Sequence, residues 1–193
     1  DGTGSAESSS IACHMAISEA LERWAFLATH RSKLGARYGF DVDRSSNGMA
    51  AFPGIFRGQA ARRARMEAIE RYALISWWDG RFEAEKVASP FPGVDVVRIH
   101  HNAGRGEVVI LVQRSRAGVA YGHAAGGTLT SATFKAAVEL ARADFVITAH
   151  RAKGAIVQAA NYLERRALHF STELGYEQFQ TRLHSRPNRP PPR

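Results

Sequence analysis

The pattern of apolar and polar residues predicts helices toward both ends of the chain and strands between them. Helices are expected from an N-cap within 8–10 to about 28, over 58–78, over 131–142 and over 155–170. Runs of β-branched residues predict strands at 95–101, 107–114 and 118–122, while 144–149 fits either helix or strand. This order predicts an α+β fold (mixed α/β) in one domain over 1–184, with a β-sheet flanked by long helices. The Pro/Arg-rich tail at 185–193 should be extended or disordered.

A seven-residue segment recurs in the first two predicted helices. Glu19-Ala20-Leu21-Glu22-Arg23-Trp24-Ala25 returns 48 residues later (67 − 19) as Glu67-Ala68-Ile69-Glu70-Arg71-Tyr72-Ala73. Each copy sets two glutamates three apart and an arginine four after the first, and these spacings bring side chains together on one helix surface. Uncharged residues follow each copy on every side of the helix, as in buried helices. The carboxylates where these segments begin should therefore have partners.

The second helix adds a row of polar groups around its copy of the repeat. Gln59, Arg63, Glu67 and Arg71 are each four apart, and Glu70 should be partly desolvated by its apolar neighbours on the helix. Carboxylates of this kind, together with substrate phosphates, suit a Mg²⁺–nucleotide site. A Glu-x-x-Glu-Arg segment is equally common on a solvated helix face with intrahelical ion pairs, so the residues alone leave both interpretations open.

Composition narrows the classes of function. The net charge of +8 invites phosphate binding, but the basic residues are scattered rather than striped, which argues against nucleic acid as the partner. The single cysteine, Cys13, forms no internal disulfide and favours a reducing, cytoplasmic setting. No apolar run reaches the roughly 18–20 residues of a membrane span, so no membrane partner is expected.

Three blocks of sequence together resemble the YcaO-domain family. Ser46-Asn47-Gly48-Met49-Ala50-Ala51 followed by the Glu67-x-x-Glu70-Arg71 helix is similar to that family's Ser-Asn-Gly-Leu-Ala-Ala segment and its Glu-x-x-Glu-Arg helix. Upstream, 16–23 resembles the family's first Glu-x-x-Glu-Arg motif. Downstream, the glycine-containing loop 122–127 before 136–139 resembles its third block. The blocks stand in the family's order between about 4 and 142.

The resemblance implies an ATP- and Mg²⁺-dependent protein that activates a peptide backbone amide by phosphorylating its oxygen, as a cyclodehydratase forming azolines or in thioamidation. The resemblance also implies a peptide or protein substrate, together with a partner protein that delivers the substrate or transfers sulfur. By the same resemblance, Mg²⁺ would be held by Glu19, Glu22, Glu67 and Glu70. ATP would be contacted by Arg23, Ser46, Asn47, Gln59 and Arg71. No residue is assigned a catalytic role beyond binding.

Departures from the family pattern leave a second function open. Met15 stands where a serine commonly precedes the first motif, Gln59 stands where an acidic residue is frequent, and the chain is short for the family. A methionine does not ligate Mg²⁺, so the alternative is a noncatalytic YcaO-like subunit that binds a peptide or a partner protein. Homodimerisation through exposed aromatics such as Trp77-Trp78 also stays open. The neighbouring His100 and His101 fall on a predicted strand, where they should point to opposite faces and not chelate one metal.

Overall fold

A computed structural model describes residues 2, 4–33, 35–38, 58–154 and 162–190 of the chain. The chain divides into two compact units, Asp1–Ala68 and Ile69–Arg193. Five α-helices, one 3₁₀ turn and a single four-stranded sheet are found in the described residues. The predicted mixture of α and β structure is therefore confirmed, whereas the single domain over 1–184 stays a prediction.

The first unit contains α1 (Ser9–His30), a 3₁₀ turn (Ala36–Tyr38) and the start of α2 (Gln59–Trp78), which continues into the second unit. Ser8 occupies the N-cap position in an extended conformation, although its side chain makes no capping hydrogen bond. The segments after both copies of the repeat were expected to be buried on every side, and this is wrong. Ile75, in the segment of α2 that follows the second copy, is 62% exposed. Phe26 is buried, but Trp24 is 68% exposed, because a helix without charged residues still buries only the side that packs.

The second unit is built on an antiparallel sheet whose spatial order follows the sequence. Its strands are β1 (Ala84–Val87), β2 (Val94–Ile99), β3 (Glu107–Ser115) and β4 (Gly118–Gly126). β2 pairs with β3 through Val96↔Leu111, and β3 pairs with β4 through Val109↔Ala124. Short connections suit this meander, and they leave β1 and β4 as the edge strands of the described sheet.

One face of the sheet is covered by α3 (Leu129–Ala152). Thr128 and Ser131 exchange side-chain-to-backbone hydrogen bonds in a capping box that fixes where this helix begins. Small residues on the facing sides allow close packing. At Gly122 a Cβ atom would lie 2.2 Å from the Ala136 carbonyl oxygen, so only glycine permits this approach. The core between sheet and helix consists of Val94, Val96, Val109, Leu111, Ala120, Ala124, Ala132, Ala136, Leu140 and Ile147.

Aromatic rings lie beside the opposite face of the sheet. Phe179, on α5 (Glu173–His184), contacts Trp77 of α2 and Tyr121 of β4, with ring centroids 5.5 Å and 5.1 Å apart. The prediction that Trp77 is an exposed aromatic is wrong, because it is 2% exposed in this packing. Desolvation raises the pKa of the Tyr121 hydroxyl. Arg182 of α5 donates to the carbonyl oxygens of Trp77 and Phe82, and burial lowers its pKa. These bonds fasten α5 to the end of α2.

The predicted elements differ from the observed ones where the sequence signal is weak. β1 and α5 were not predicted, β4 is longer than 118–122, and α3 continues through 144–149 as helix. A further helix, α4, is described at Tyr162–Phe170, whereas 155–161 of its predicted range lies outside the described residues. Gly80 ends the α2 region with φ of 80°, a conformation that glycine adopts without strain.

The tail has no regular secondary structure over its described residues 185–190, and it is tied back to the turn after α2. The backbone N–H groups of Asn188 and Arg189 both donate to the Gly80 carbonyl oxygen, at 2.9 Å and 3.2 Å. Arg81 donates to the Pro190 carbonyl oxygen at 3.3 Å. Hydrogen bonds therefore anchor the tail to the turn after α2 as far as Pro190.

Candidate functional site

The best-defined polar contact among the predicted site residues joins Glu70 of α2 to the edge strand β4. Glu70 Oε1 lies 2.7 Å from His123 Nδ1, and Glu70 Oε2 accepts the Ala125 backbone N–H at 3.0 Å. We call this arrangement the Glu70 clamp. It brings the second Glu-x-x-Glu-Arg motif against the glycine-containing block 122–127, two segments that are about fifty residues apart in sequence.

Local structure explains why Glu70 reaches the strand. Ile69 and Ala73, one turn apart on α2, are buried and hold this part of the helix in the second unit. On β4, Gly122 and Ala124 face α3, so the alternation of the strand turns His123 to the opposite side. An edge strand also carries backbone groups without a strand partner, and the carboxylate accepts from one of them.

Burial makes the Glu70 carboxylate well positioned without hiding it completely. Its side chain is 19% exposed, against 49% for the His123 side chain, in agreement with the partial desolvation predicted from the helix pattern. A carboxylate offers about four lone-pair directions, and the two hydrogen bonds occupy two of them. The clamp therefore orients the carboxylate and leaves it capacity to accept another hydrogen bond or a cation.

The first copy of the motif has a different environment. Arg23 donates to Glu19 at 2.5 Å within α1, the (i, i+4) pairing predicted for a helix surface. The Glu19 and Arg23 side chains are 30% and 38% exposed. Glu22 is likewise half-buried. Within α1 the motif thus forms at least one local ion pair.

The remaining predicted ligands are distributed along α2 or lie outside the described residues. Gln59, Glu67 and Arg71 are half-buried on α2. Ser46 and Asn47 fall in 39–57, beyond what the structure describes. Across the described ranges, no three histidine, cysteine, aspartate or glutamate side chains are grouped so that they could hold a metal ion. Carboxylates remain chemically suitable for Mg²⁺, but the four-glutamate set stays a prediction.

The contact of His123 with Glu70 was not predicted from the sequence. His123 was placed within the third block but not among the site residues, because a histidine between a glycine and an alanine has no distinctive spacing. The strand alternation beside Gly122 was the available signal. If Gly122 faces α3, the next residue of the strand, His123, must face the opposite side of the sheet.

The adjacent histidines His100 and His101 do not share a ligand. Both follow the end of β2, and His100 Nε2 lies 3.1 Å from Glu85 whereas His101 Nδ1 accepts the Ala103 backbone N–H at 3.3 Å. Burial lowers the pKa of His101. The predicted strand 95–101 is wrong at this end, because β2 ends at Ile99, before both histidines.

A second polar region lies where the β3–β4 hairpin meets the start of α5. Its cleft of about 310 Å³ contains two arginines, but Arg114 already pairs with Glu173 at 2.8 Å, and Arg151 donates to the Ser171 carbonyl oxygen at 3.5 Å. The negative charge of Glu173 reduces the attraction of the cleft for an anion. None of the predicted site residues lines it; the lining residues are Arg114, Ser115, Gly118, Val119, Arg151, Ser171, Thr172 and Glu173.

None of the described helices is both long and apolar enough to cross a membrane. Comparison of the chain with protein-family models, with curated proteins and with solved structures finds no match.

Proposed function

We propose that this chain is a YcaO-like protein that binds ATP and Mg²⁺ and activates a peptide backbone amide, in azoline or thioamide formation. The proposal rests on the resemblance of the three sequence blocks. Its single structural support is the Glu70 clamp, because Glu70, in the helix of the second block, contacts His123 and Ala125 in the third block. A chance similarity spread over separated segments would not require them to meet.

The chemistry of the clamp agrees with this proposal. Carboxylates that bind metals are usually held by hydrogen bonds from a surrounding shell, which fixes their orientation. His123 and the Ala125 N–H would supply that shell to Glu70. Phosphoryl transfer needs mainly positioning and neutralisation of charge, so a fixed carboxylate for Mg²⁺ and a nearby guanidinium such as Arg71 are suitable components.

Calorimetric titration of the full chain with ATP, with and without Mg²⁺, tests the proposal. We expect binding that requires Mg²⁺ and that weakens about tenfold or more in Glu67→Gln and Glu70→Gln, since each removes a negative charge from the ion. Glu177→Gln, an exposed glutamate of α5, is the matched control and should bind as the wild type does. Absence of magnesium-dependent binding in the wild type would contradict the proposal.

The second candidate is a noncatalytic YcaO-like subunit that binds a peptide or a partner protein. The same clamp favours it, because each Glu70 oxygen already has a hydrogen-bond partner, so the carboxylate can join helix and strand without a bound metal. This candidate predicts no ATP hydrolysis and capture of a defined peptide or protein by the immobilised chain. Measurable ATPase activity that Glu70→Gln abolishes, without any captured partner, would exclude it.

A further inference from the structure

The outer side of α3 carries an apolar stripe directly opposite the side that packs on the sheet. Phe134, Val138 and Phe145 follow spacings of four and seven, so they share one side of the helix. The core-facing residues Ala136 and Leu140 are offset from them by about half a turn. Phe134 is 55% exposed and Phe145 is 74% exposed. We call this surface, with Val146 at its flank, the α3 stripe.

Packing within the described residues leaves most of the stripe open. Phe134 contacts the Phe91 ring edge to face at 5.4 Å, whereas Val138 and Val146 remain 41% and 42% exposed. With aromatic side chains of about 150–250 Å² each, the stripe exposes roughly 400 Å² of apolar surface. That is within the range of about 300–600 Å² of the largest exposed apolar patch on a typical monomer, and such patches are often functional.

The charged residues beside the stripe can pair with the same residues of a second copy when the two α3 helices are antiparallel. Glu139 and Arg142 lie on the same flank, and within the helix they pair at 2.7 Å. If two α3 helices pack antiparallel about a two-fold axis near the middle of the stripe, Phe134 meets the partner's Phe145 and Val138 meets the partner's Ala141. This two-fold axis is perpendicular to both helices, so the flank that carries Glu139 and Arg142 in one copy faces the same flank of the other copy. Glu139 of each copy then lies beside Arg142 of the other copy.

We propose that a second copy of this chain docks on the α3 stripe, with the two α3 helices antiparallel and linked by two Glu139–Arg142 pairs between the copies. The stripe is below the roughly 800 Å² per partner of a standard stable interface. The dimer is therefore expected to have a micromolar dissociation constant. This inference does not depend on the proposed function.

Sedimentation velocity of the full chain between about 1 and 100 µM tests the dimer, because a micromolar equilibrium moves across that range. The wild type should pass from monomer to dimer. Phe145→Glu should raise the dissociation constant at least about tenfold and keep its fold, since this side chain is mostly exposed. Leu174→Glu changes an apolar residue of α5 that is 58% exposed and lies outside the stripe, and this variant should dimerise like the wild type.

A charge exchange tests the register itself. Glu139→Arg and Arg142→Glu should each weaken self-association, because like charges then face each other across the axis. An equimolar mixture of the two variants should form a heterodimer, since every facing pair is again of opposite charge. A monomer throughout the range, a dimer untouched by Phe145→Glu, or a mixture that stays monomeric would each overturn the proposal.

Discussion

The two copies of the Glu-x-x-Glu-Arg segment have nearly the same sequence and very different surroundings. In α1, Glu19 pairs with Arg23 of its own helix, Leu21 is 39% exposed and Ala25 is exposed. In α2, the equivalent Ile69 is 7% exposed and the equivalent Ala73 is fully buried. The same local pattern thus gives a surface ion pair in one helix and part of a core in the other.

The difference shows that the role of a carboxylate motif is decided by what the rest of the chain places beside it. Glu70 meets the edge strand β4 because neighbouring positions of α2 are buried in the second unit. No sequence feature within the seven residues distinguishes the two copies in that respect. Paired substitutions at equivalent positions can therefore separate a core role from a surface role.

The largest difference in stability between the two copies is expected at the position that holds Leu21 in α1 and Ile69 in α2. Ile69→Ala should lower the free energy of unfolding by about 2–5 kcal/mol, because it removes buried methyl groups and leaves a cavity. Leu21→Ala should cost less than about 1 kcal/mol, because part of the side chain is already in water. Urea unfolding of both variants measures the contrast, and equal losses would refute the difference between the copies.

Enlarging the shared alanine should give the next contrast. Ala73→Leu has no free space to occupy and should destabilise the protein by about 1–3 kcal/mol. Ala25→Leu lies on an exposed side of α1 and should change stability by no more than about 0.5 kcal/mol. Thermal unfolding followed by circular dichroism compares the two variants. A large loss in Ala25→Leu would mean that this side of α1 is packed in solution.

A smaller contrast concerns the carboxylates. Glu70→Ala should cost about 1–3 kcal/mol, because the Ala125 N–H loses its acceptor at a largely buried position. Glu19→Ala, at the position of the first copy that corresponds to Glu67 rather than Glu70, should cost about 0.3–0.5 kcal/mol, the usual value of an (i, i+4) ion pair. Denaturant unfolding at low and high salt adds a control, since the α1 pair should be the more salt-sensitive of the two. Equal costs at low salt would argue that Glu70 makes only a surface contact.

The smallest effect is a pH dependence near the second copy, where Tyr72 donates to Asn102 at 3.0 Å beside His101. Burial lowers the pKa of His101 below 6.5, so the unfolded chain binds its proton first as the solution is acidified. The free energy of unfolding should then fall as pH is lowered from about 7 toward 5. His101→Gln should show a shallower decline over this window, and an unchanged decline would assign the dependence to other groups.

The sequence predicted the elements that have strong local signals. The bounds of α2 and the positions of β2 and β3 follow from glycine signals and runs of β-branched residues, and the structure places them within a few residues of the prediction. β1 was missed because Ala84–Val87 is short and carries two charges. α5 was missed because Gly175 interrupts its sequence, although Gly175, Phe179 and Leu183 follow the spacing of four that places residues on one side of a helix. Both elements are stabilised by contacts with distant residues, which no local pattern contains.

The candidate site was predictable only in part for the same reason. Helical spacing identified Glu70 and its partial burial. The partners His123 and Ala125 become visible only when β4 is paired and α3 fixes which side of the strand is occupied. Trp24 shows the reverse case, since an uncharged segment predicted burial but its side chain is exposed. The sequence pattern indicates which residues share one side of a helix, but tertiary packing decides which of these sides are buried.

The most direct test of the central proposal uses the His123 ring as a reporter of the Glu70 clamp. Ring-nitrogen NMR signals of ¹⁵N-histidine-labelled chain, assigned with His123→Gln, are recorded with ATP and EDTA and then with ATP and Mg²⁺. If Glu70 contacts the metal–nucleotide complex, Mg²⁺ with ATP shifts the His123 signals and ATP with EDTA does not, while His100 and His101 stay unchanged. His123 signals that remain fixed under saturating Mg²⁺ and ATP would contradict a nucleotide site at Glu70.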